Sequence, residues 1–270
     1  MKQISLCFIL LFAFFNATGQ ITTIVPSTES VANAAVADRK HWTAFGNPAN
    51  SAFSEKIELG IQYENRYFVN ELANRSLNFL LPTKYVNTSL SVSYFGYSYY
   101  NHIMTGLGFA RNFADNFSLG LQFNYVTTYF AAQNSYRGAF FPQIGTNIRL
   151  SSVIYLGFST FNPFQANIKT EYTVVRLPSV FSLGIDYLIG KDFVARLQAE
   201  KEISSAYRVA AGFEYSMLQA ITLKIGAYHL DYFVPCLGFG LHLGEFSFVL
   251  NGELHPLLGL VTAASAKYRF

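Results

Sequence analysis

"NFSLGLQFNYVTTYF", residues 116–130, sorts its side chains with a period of two. One side carries Phe117, Leu119, Leu121, Phe123, Tyr125 and Tyr129; the other carries Ser118, Gly120, Gln122, Asn124 and Thr128. Successive side chains of a β-strand point to opposite faces, whereas a helix groups residues three and four apart. The stretch is therefore a strand with one apolar and one polar face. Whether the apolar face meets a protein core or lipid depends on the rest of the chain.

Composition turns the choice towards lipid. Of the 270 residues 13% are charged and 17% aromatic, against roughly 25% charged in an ordinary soluble protein. A soluble β-sandwich fills its outward faces with Lys and Glu, and this chain has too few. The opening "MKQISLCFILLFAFFNATGQ" places Lys2 before an apolar run, Ile4 to Phe15, followed by Ala17 and Gly19. This predicts a secretory signal peptide over residues 1–19, cut after Gly19. Cys7 lies inside the run, and its loss would leave Cys236 alone, so no internal disulfide is expected. No later stretch approaches the length of apolar sequence that a membrane-spanning helix needs. With Lys2 removed the charge is 18 minus 16, or +2, too mild to imply a nucleic-acid partner.

The alternation of 116–130 recurs from about Lys56 to the end. Ile57, Leu59, Ile61 and Tyr63 oppose Glu58, Gly60, Gln62 and Glu64; Ile221, Leu223 and Ile225 oppose Thr222, Lys224 and Gly226. About fourteen such segments begin near residues 56, 72, 88, 102, 117, 138, 152, 178, 191, 206, 219, 232, 245 and 257. Their length suits a tilted strand crossing a bilayer, and an even count returns both ends to one side. A closed antiparallel transmembrane β-barrel over residues 56–270 follows, because lipid tolerates no unpaired sheet edge. Tight connections at "FADN", "RLSS", "IGKD", "SMLQ" and "LGE" are expected in the periplasm, and the longer "FAAQNSYRG" and "FNPFQANIKTEYTVVRLP" outside. Phe117, Leu119, Leu121 and Phe123 would then face outer-membrane lipid, and Gln122 and Asn124 the lumen. The ending "AKYRF" puts Tyr268 and Phe270 on the apolar face, where they resemble the C-terminal signal that barrel assembly machinery reads.

Residues 20–55 precede the first strand. Ser30 could cap a helix through "VANAAVADRKHW", which Gly46 and Pro48 would end. The segment is too polar for lipid, and its Trp42 and Phe45 would gain from burial. Its Ala37, Asp38, Trp42, Asn47, Pro48 and Ala49 resemble the N-terminal signature of FadL-like outer-membrane barrels, the long-chain fatty-acid transporter superfamily, which includes the PorV and PorQ barrels of type IX secretion. That resemblance implies about fourteen strands and an N-terminal segment folded inside the lumen as a plug.

The inward-facing set includes Glu58, Gln62, Arg149, Arg196, Arg208 and Lys224. Both signs are present, so these groups are expected to pair with one another and with the N-terminal segment. Pro235 within a strand predicts a bulge, and Cys236 a small packing residue. No nucleophile elbow stands near the histidines and no His, Cys or carboxylate cluster has ligand spacing, so neither an enzyme, a metal nor a cofactor is expected. Three functions stay open: a plugged channel passing small, hydrophobic molecules; an accessory barrel of the PorV/PorQ type serving a secreted protein; and a structural barrel.

Overall fold

A computed structural model describes residues 25–114, 116–131, 134–169, 174–218 and 220–270; the expected signal peptide lies outside them. The strands are β1 (Glu58–Arg66), β2 (Val69–Leu81), β3 (Asn87–Tyr97), β4 (Tyr100–Phe113), β5 (Phe117–Phe130), β6 (Ser135–Arg149), β7 (Ile154–Phe161), β8 (Asn167–Lys169), β9 (Val174–Arg176), β10 (Val180–Ile189), β11 (Phe193–Glu202), β12 (Tyr207–Met217), β13 (Ile221–His229), β14 (Phe233–Leu243), β15 (Phe246–His255) and β16 (Gly259–Arg269). All but β8 and β9 form one closed barrel of fourteen antiparallel strands, in which each pairs with its neighbours in sequence and β16 returns to β1. Closure gives every wall strand a partner on both sides, the condition that an apolar surround imposes on backbone groups.

The period of two sets which side chains point in. In β5, Ser118, Gly120, Gln122, Asn124, Val126 and Thr128 are buried, while Phe117, Leu119, Phe123 and Tyr125 are exposed. The same phase holds in β12 and β13, whose Phe213, Leu223 and Ile225 stand outward and whose Glu214, Thr222 and Lys224 are buried. The wall is inverted relative to a soluble protein: its outer surface is a band of Leu, Ile, Phe and Tyr, and its interior is polar.

The end where β1 begins and β16 finishes is the near rim; the opposite end is the far rim. Near-rim connections are short, at 82–86, 114–116, 150–153, 190–192, 218–220 and 244–245. Far-rim connections are equally short except for 162–179, so the expected asymmetry comes down to one loop. "FAAQNSYRG" is mostly strand, with β5 ending at Phe130 and β6 beginning at Ser135. The long loop carries the hairpin β8–β9 and folds inward, burying Ile168 among Met104, Val126, Phe141, Phe161 and Leu177. At the near rim Tyr268 packs against Phe246 and Phe270 at ring-centroid distances of 4.6 and 4.7 Å, and the Phe270 N–H donates to the Ile57 carbonyl at 2.9 Å.

Two expectations about local structure fail. Residues 30–42 do not form a continuous helix. A 3-10 turn at Val31–Asn33 and a 3-10 helix at Pro48–Phe53 are the helical pieces of the described N-terminal segment, and Ala32 and Asn33 have φ of 53° and 54°. The reason is that wall side chains take the backbone groups a helix would have paired internally. Arg208 bonds the Ala32 carbonyl, Lys224 that of Glu29 and Lys267 that of Trp42, while Gln198 accepts the Val36 N–H. The second failure is Pro235, where the β13–β14 register runs through Ala227↔Pro235 without a shift. Pairing of β14 with β15 begins at Cys236↔Glu253, so Pro235 needs no N–H on that side. The irregular register falls instead between Glu64 and Arg66. Cys236 is buried against Val31, Ala32 and Ala34.

Candidate functional site: the lumen and its N-terminal segment

Residues 25–54 lie inside the barrel and cross it from the far rim to the near rim, where Lys56 is exposed and pairs with Glu245 at 2.7 Å. At the far side the Ser27 N–H donates to Glu64 at 2.7 Å and Gln62 donates to the Ser27 carbonyl at 2.7 Å. The chain then passes β16 and β13, where Lys267 lies 3.4 Å from Glu29, and β12 and β13, where Val31 is the first atom set that a side chain at Gly212 would meet. It turns at Val36–Asp38 beside β7, β10 and β11, and returns through Trp42 to β6. Asn47 donates to the Thr146 carbonyl at 3.0 Å and also caps the 3-10 helix by accepting the Ala49 N–H at 3.0 Å. Asn87 then donates to the Ser51 and Ser54 carbonyls at 2.8 and 2.9 Å before β1 begins.

Glycines in the wall make this passage fit. A Cβ at Gly120 would strike the Pro48 carbonyl and the Ala49 nitrogen, and one at Gly157 would strike the backbone of Val36 and Ala37. At these two positions the segment's backbone touches the strand's backbone, an approach that any larger residue prevents.

The strongest electrostatic contact centres on Arg196. Its guanidinium reaches Asp186 at 2.5 Å, Glu214 at 3.0 Å and Asp38 of the segment at 3.1 Å, all four groups being buried. Asp38 also accepts from Ser30 at 2.7 Å and contacts the His41 ring nitrogen at 3.0 Å. Burial alone would raise the Asp38 carboxyl, but Arg196, helped by His41 and Ser30, holds it well below the usual carboxylate range. Glu29 shows the same balance more mildly, its burial outweighed by Lys267, His41 and Lys224.

The residues singled out from sequence therefore divide. Arg196, Arg208, Lys224 and Gln62 hold the segment directly, at Asp38, Ala32, Glu29 and Ser27, and Trp42, Asn47, Pro48 and Ala49 meet other wall residues, Lys267, Thr146 and Gly120. Glu58 is buried at the near rim between Lys267 and Arg269, at 3.7 and 3.2 Å, and accepts from Ser54. Arg149 is exposed on the near rim, donates to the Ser151 carbonyl at 3.2 Å and takes no part in holding the segment. Missing from the sequence-derived set were three other wall amides, Gln143, Gln198 and Asn147. Gln143 donates to the Phe45 and Gly46 carbonyls at 3.1 and 2.6 Å, Gln198 to that of Asn33 at 3.1 Å, and Asn147 bonds Asn50. Their inward phase was visible, but nothing in a single sequence tells a lumenal amide that holds a chain from one that faces water.

The segment divides the interior into two spaces. Above it, a vestibule of about 470 Å³ opens to the far rim, floored by Val36, Phe45 and Asn47. Below it, a space of about 250 Å³ lies at the near rim beside Asp38, Arg39, Tyr155 and Asp186.

No family model and no curated protein matches the sequence. Among solved structures, a Pseudomonas aeruginosa FadL homologue is similar over 92% of this chain and 99% of its own, at 12% identity and a TM-score of 0.63. The Ralstonia pickettii toluene transporter TbuX is similar over 83% of this chain and 92% of its own, at 9% identity and a TM-score of 0.61. The Pseudomonas putida toluene transporter TodX is similar over 94% of this chain and 96% of its own, at 10% identity and a TM-score of 0.60. The chain thus has the closed fourteen-strand barrel fold of FadL-type transporters.

Proposed function

We propose that this protein is an outer-membrane channel for the passive passage of small molecules with apolar character, and that residues 25–54 are its plug. The observation that carries the reading is the segment's course: it crosses the lumen, is fixed to many wall strands, and separates an outer from an inner space. The apolar outer band supports insertion in lipid, with the near rim in the periplasm and the far rim outside. Tyr268 and Phe270, packed at the near rim, fit a recognition element for the assembly machinery. The solved transporters named above favour passage of a small apolar solute. A purely structural barrel would need neither vestibule, and the accessory role in secretion draws no support from these likenesses.

Deleting Ser27–Thr43 tests the plug, with the assembled barrel compared at equal amounts in planar bilayers. The truncated protein is expected to show steady conductance well above that of the intact protein, and cells carrying it to become sensitive to large antibiotics. An assembled truncated barrel that conducts no more than the intact one would show that the segment does not close the lumen.

A further inference from the structure

The far vestibule combines two chemistries. Phe45, Phe161, Val180, Leu230, Leu258 and Val261 contribute apolar surface, enough for the body of a small organic molecule. Its ionisable lining is one-sided: five carboxylates, Glu64, Glu200, Glu202, Asp231 and Glu253, stand against two guanidinium groups, Arg66 and Arg208. Both cations are already engaged. Arg66 is buried with its Nε 2.5 Å from Glu64; Arg208 reaches Glu200 at 2.9 Å and bonds the Ala32 carbonyl. Lys201, at the same rim, is turned onto the Ser205 carbonyl and the outward Tyr207 ring. Aromatic rings complete the mouth. His255 packs edge-on to Tyr67 and Tyr232 at 6.4 and 5.4 Å, and the Arg208 guanidinium already lies 4.3 Å from the Tyr228 ring centre, so the wall holds one cation on an aromatic face.

A cleft lined by one excess sign between low-dielectric walls concentrates ions of the other sign. We propose that the far vestibule selects an amphipathic organic cation, a small molecule with an apolar body and a positively charged amine. The inference rests on the channel reading and names its substrate class. Glu253 lies deep in the vestibule, where Asn33 donates to it at 2.8 Å, and Asp231 is exposed at the entrance; these carboxylates, with the Tyr and His rings, would receive the amine while the apolar wall takes the body.

The test uses three probes that share a phenyl body: benzyltrimethylammonium, benzenesulfonate and benzyl alcohol. Calorimetric titration of the full-length protein in detergent is expected to show saturable binding of the cation alone. Glu253→Gln should weaken it at least tenfold, and Asp231→Lys, at an exposed turn position, should weaken it in the same direction. Binding of the sulfonate or the alcohol as tight as that of the cation, no saturable binding of the cation, or an Asp231→Lys protein that binds it unchanged would each overturn the proposal. Entry of the same probes into liposomes carrying the Ser27–Thr43 deletion separates the two ideas. The deletion takes Asn33 and Val36 out of the vestibule, so these liposomes report on the channel alone: entry of all three leaves the channel standing whatever the titration says of selectivity, whereas no entry above that of protein-free liposomes removes the channel itself.

Discussion

Arg196 is the residue on which the N-terminal segment most depends, and its three carboxylate partners make its loss unlike the loss of any one of them. Asp38→Asn removes one charge but leaves Arg196 compensated by Asp186 and Glu214, so the docked segment should lose about 1–3 kcal/mol. Arg196→Leu leaves three buried acids around a missing cation and should cost about 3–5 kcal/mol. Limited proteolysis of the assembled barrel distinguishes them: cleavage within residues 25–54 should be slow in the first variant and fast in the second, with the strands intact in both. Asp38 gives the docked segment a pH dependence of its own. A carboxyl whose folded value is depressed contributes its stabilisation above the ordinary value and loses it as the pH falls through the depressed one. Asp38 is held well below its ordinary 3.8, so the segment should stay docked at pH 5 and loosen only below about pH 4. Trp42 is the chain's single tryptophan and is 3% exposed. Its fluorescence should resist an aqueous quencher down to that limit and beneath it become only slightly more quenchable, to the level of Asp38→Asn at neutral pH; quenching that begins near pH 6 would place the control elsewhere.

At the scale of the strand, adjacent residues should fail in different ways. Leu121 faces outward and Gln122 inward. Leu121→Arg puts a charge in the lipid band at about 2–4 kcal/mol and should reduce the amount of assembled barrel. Gln122 is 1% exposed, bonds Asn124 at 2.8 Å and lies beside Gly106, near Phe45. Gln122→Arg should therefore leave the barrel in the membrane but displace the segment, raising conductance; equal losses of assembled protein would contradict the phase. Strand starts were legible in the sequence to within about three residues because a face in lipid and a face in a polar lumen enforce the period of two in every strand. The inward phase of Arg196 and Lys224 was legible for the same reason. The course of residues 30–42 was not. Its Ala-rich composition favours a helix when taken alone, and the groups that override this preference, Gln198, Arg208, Lys224 and Lys267, come from strands more than 150 residues away. The inward packing of Ile168 was hidden too, since its apolar partners lie on β4, β5 and β6.

For the whole molecule, one sheet closed by the β1–β16 ladder predicts cooperative resistance to unfolding. Unboiled protein in mild SDS should migrate differently from boiled protein, and circular dichroism in detergent should be of β type until the transition; a monomer that stays soluble without detergent and shows no such shift would be incompatible with the outward Leu, Ile, Phe and Tyr band. The segment inside that wall also has a mechanical character. Its near-rim bend exposes Lys40, flanked by the contacts of Asp38 with Arg196 and of the Trp42 carbonyl with Lys267 at 2.9 Å. A pull on Lys40 from the near rim would load those two attachments first and then peel the rest in sequence, a little work at a time. Pressure from the far rim would bear on Ser27, Val36, Phe45 and Asn47 together, so that the attachments share the load. The segment therefore yields contact by contact from one side and only all at once from the other, an asymmetry made from the order in which its contacts occur along the chain.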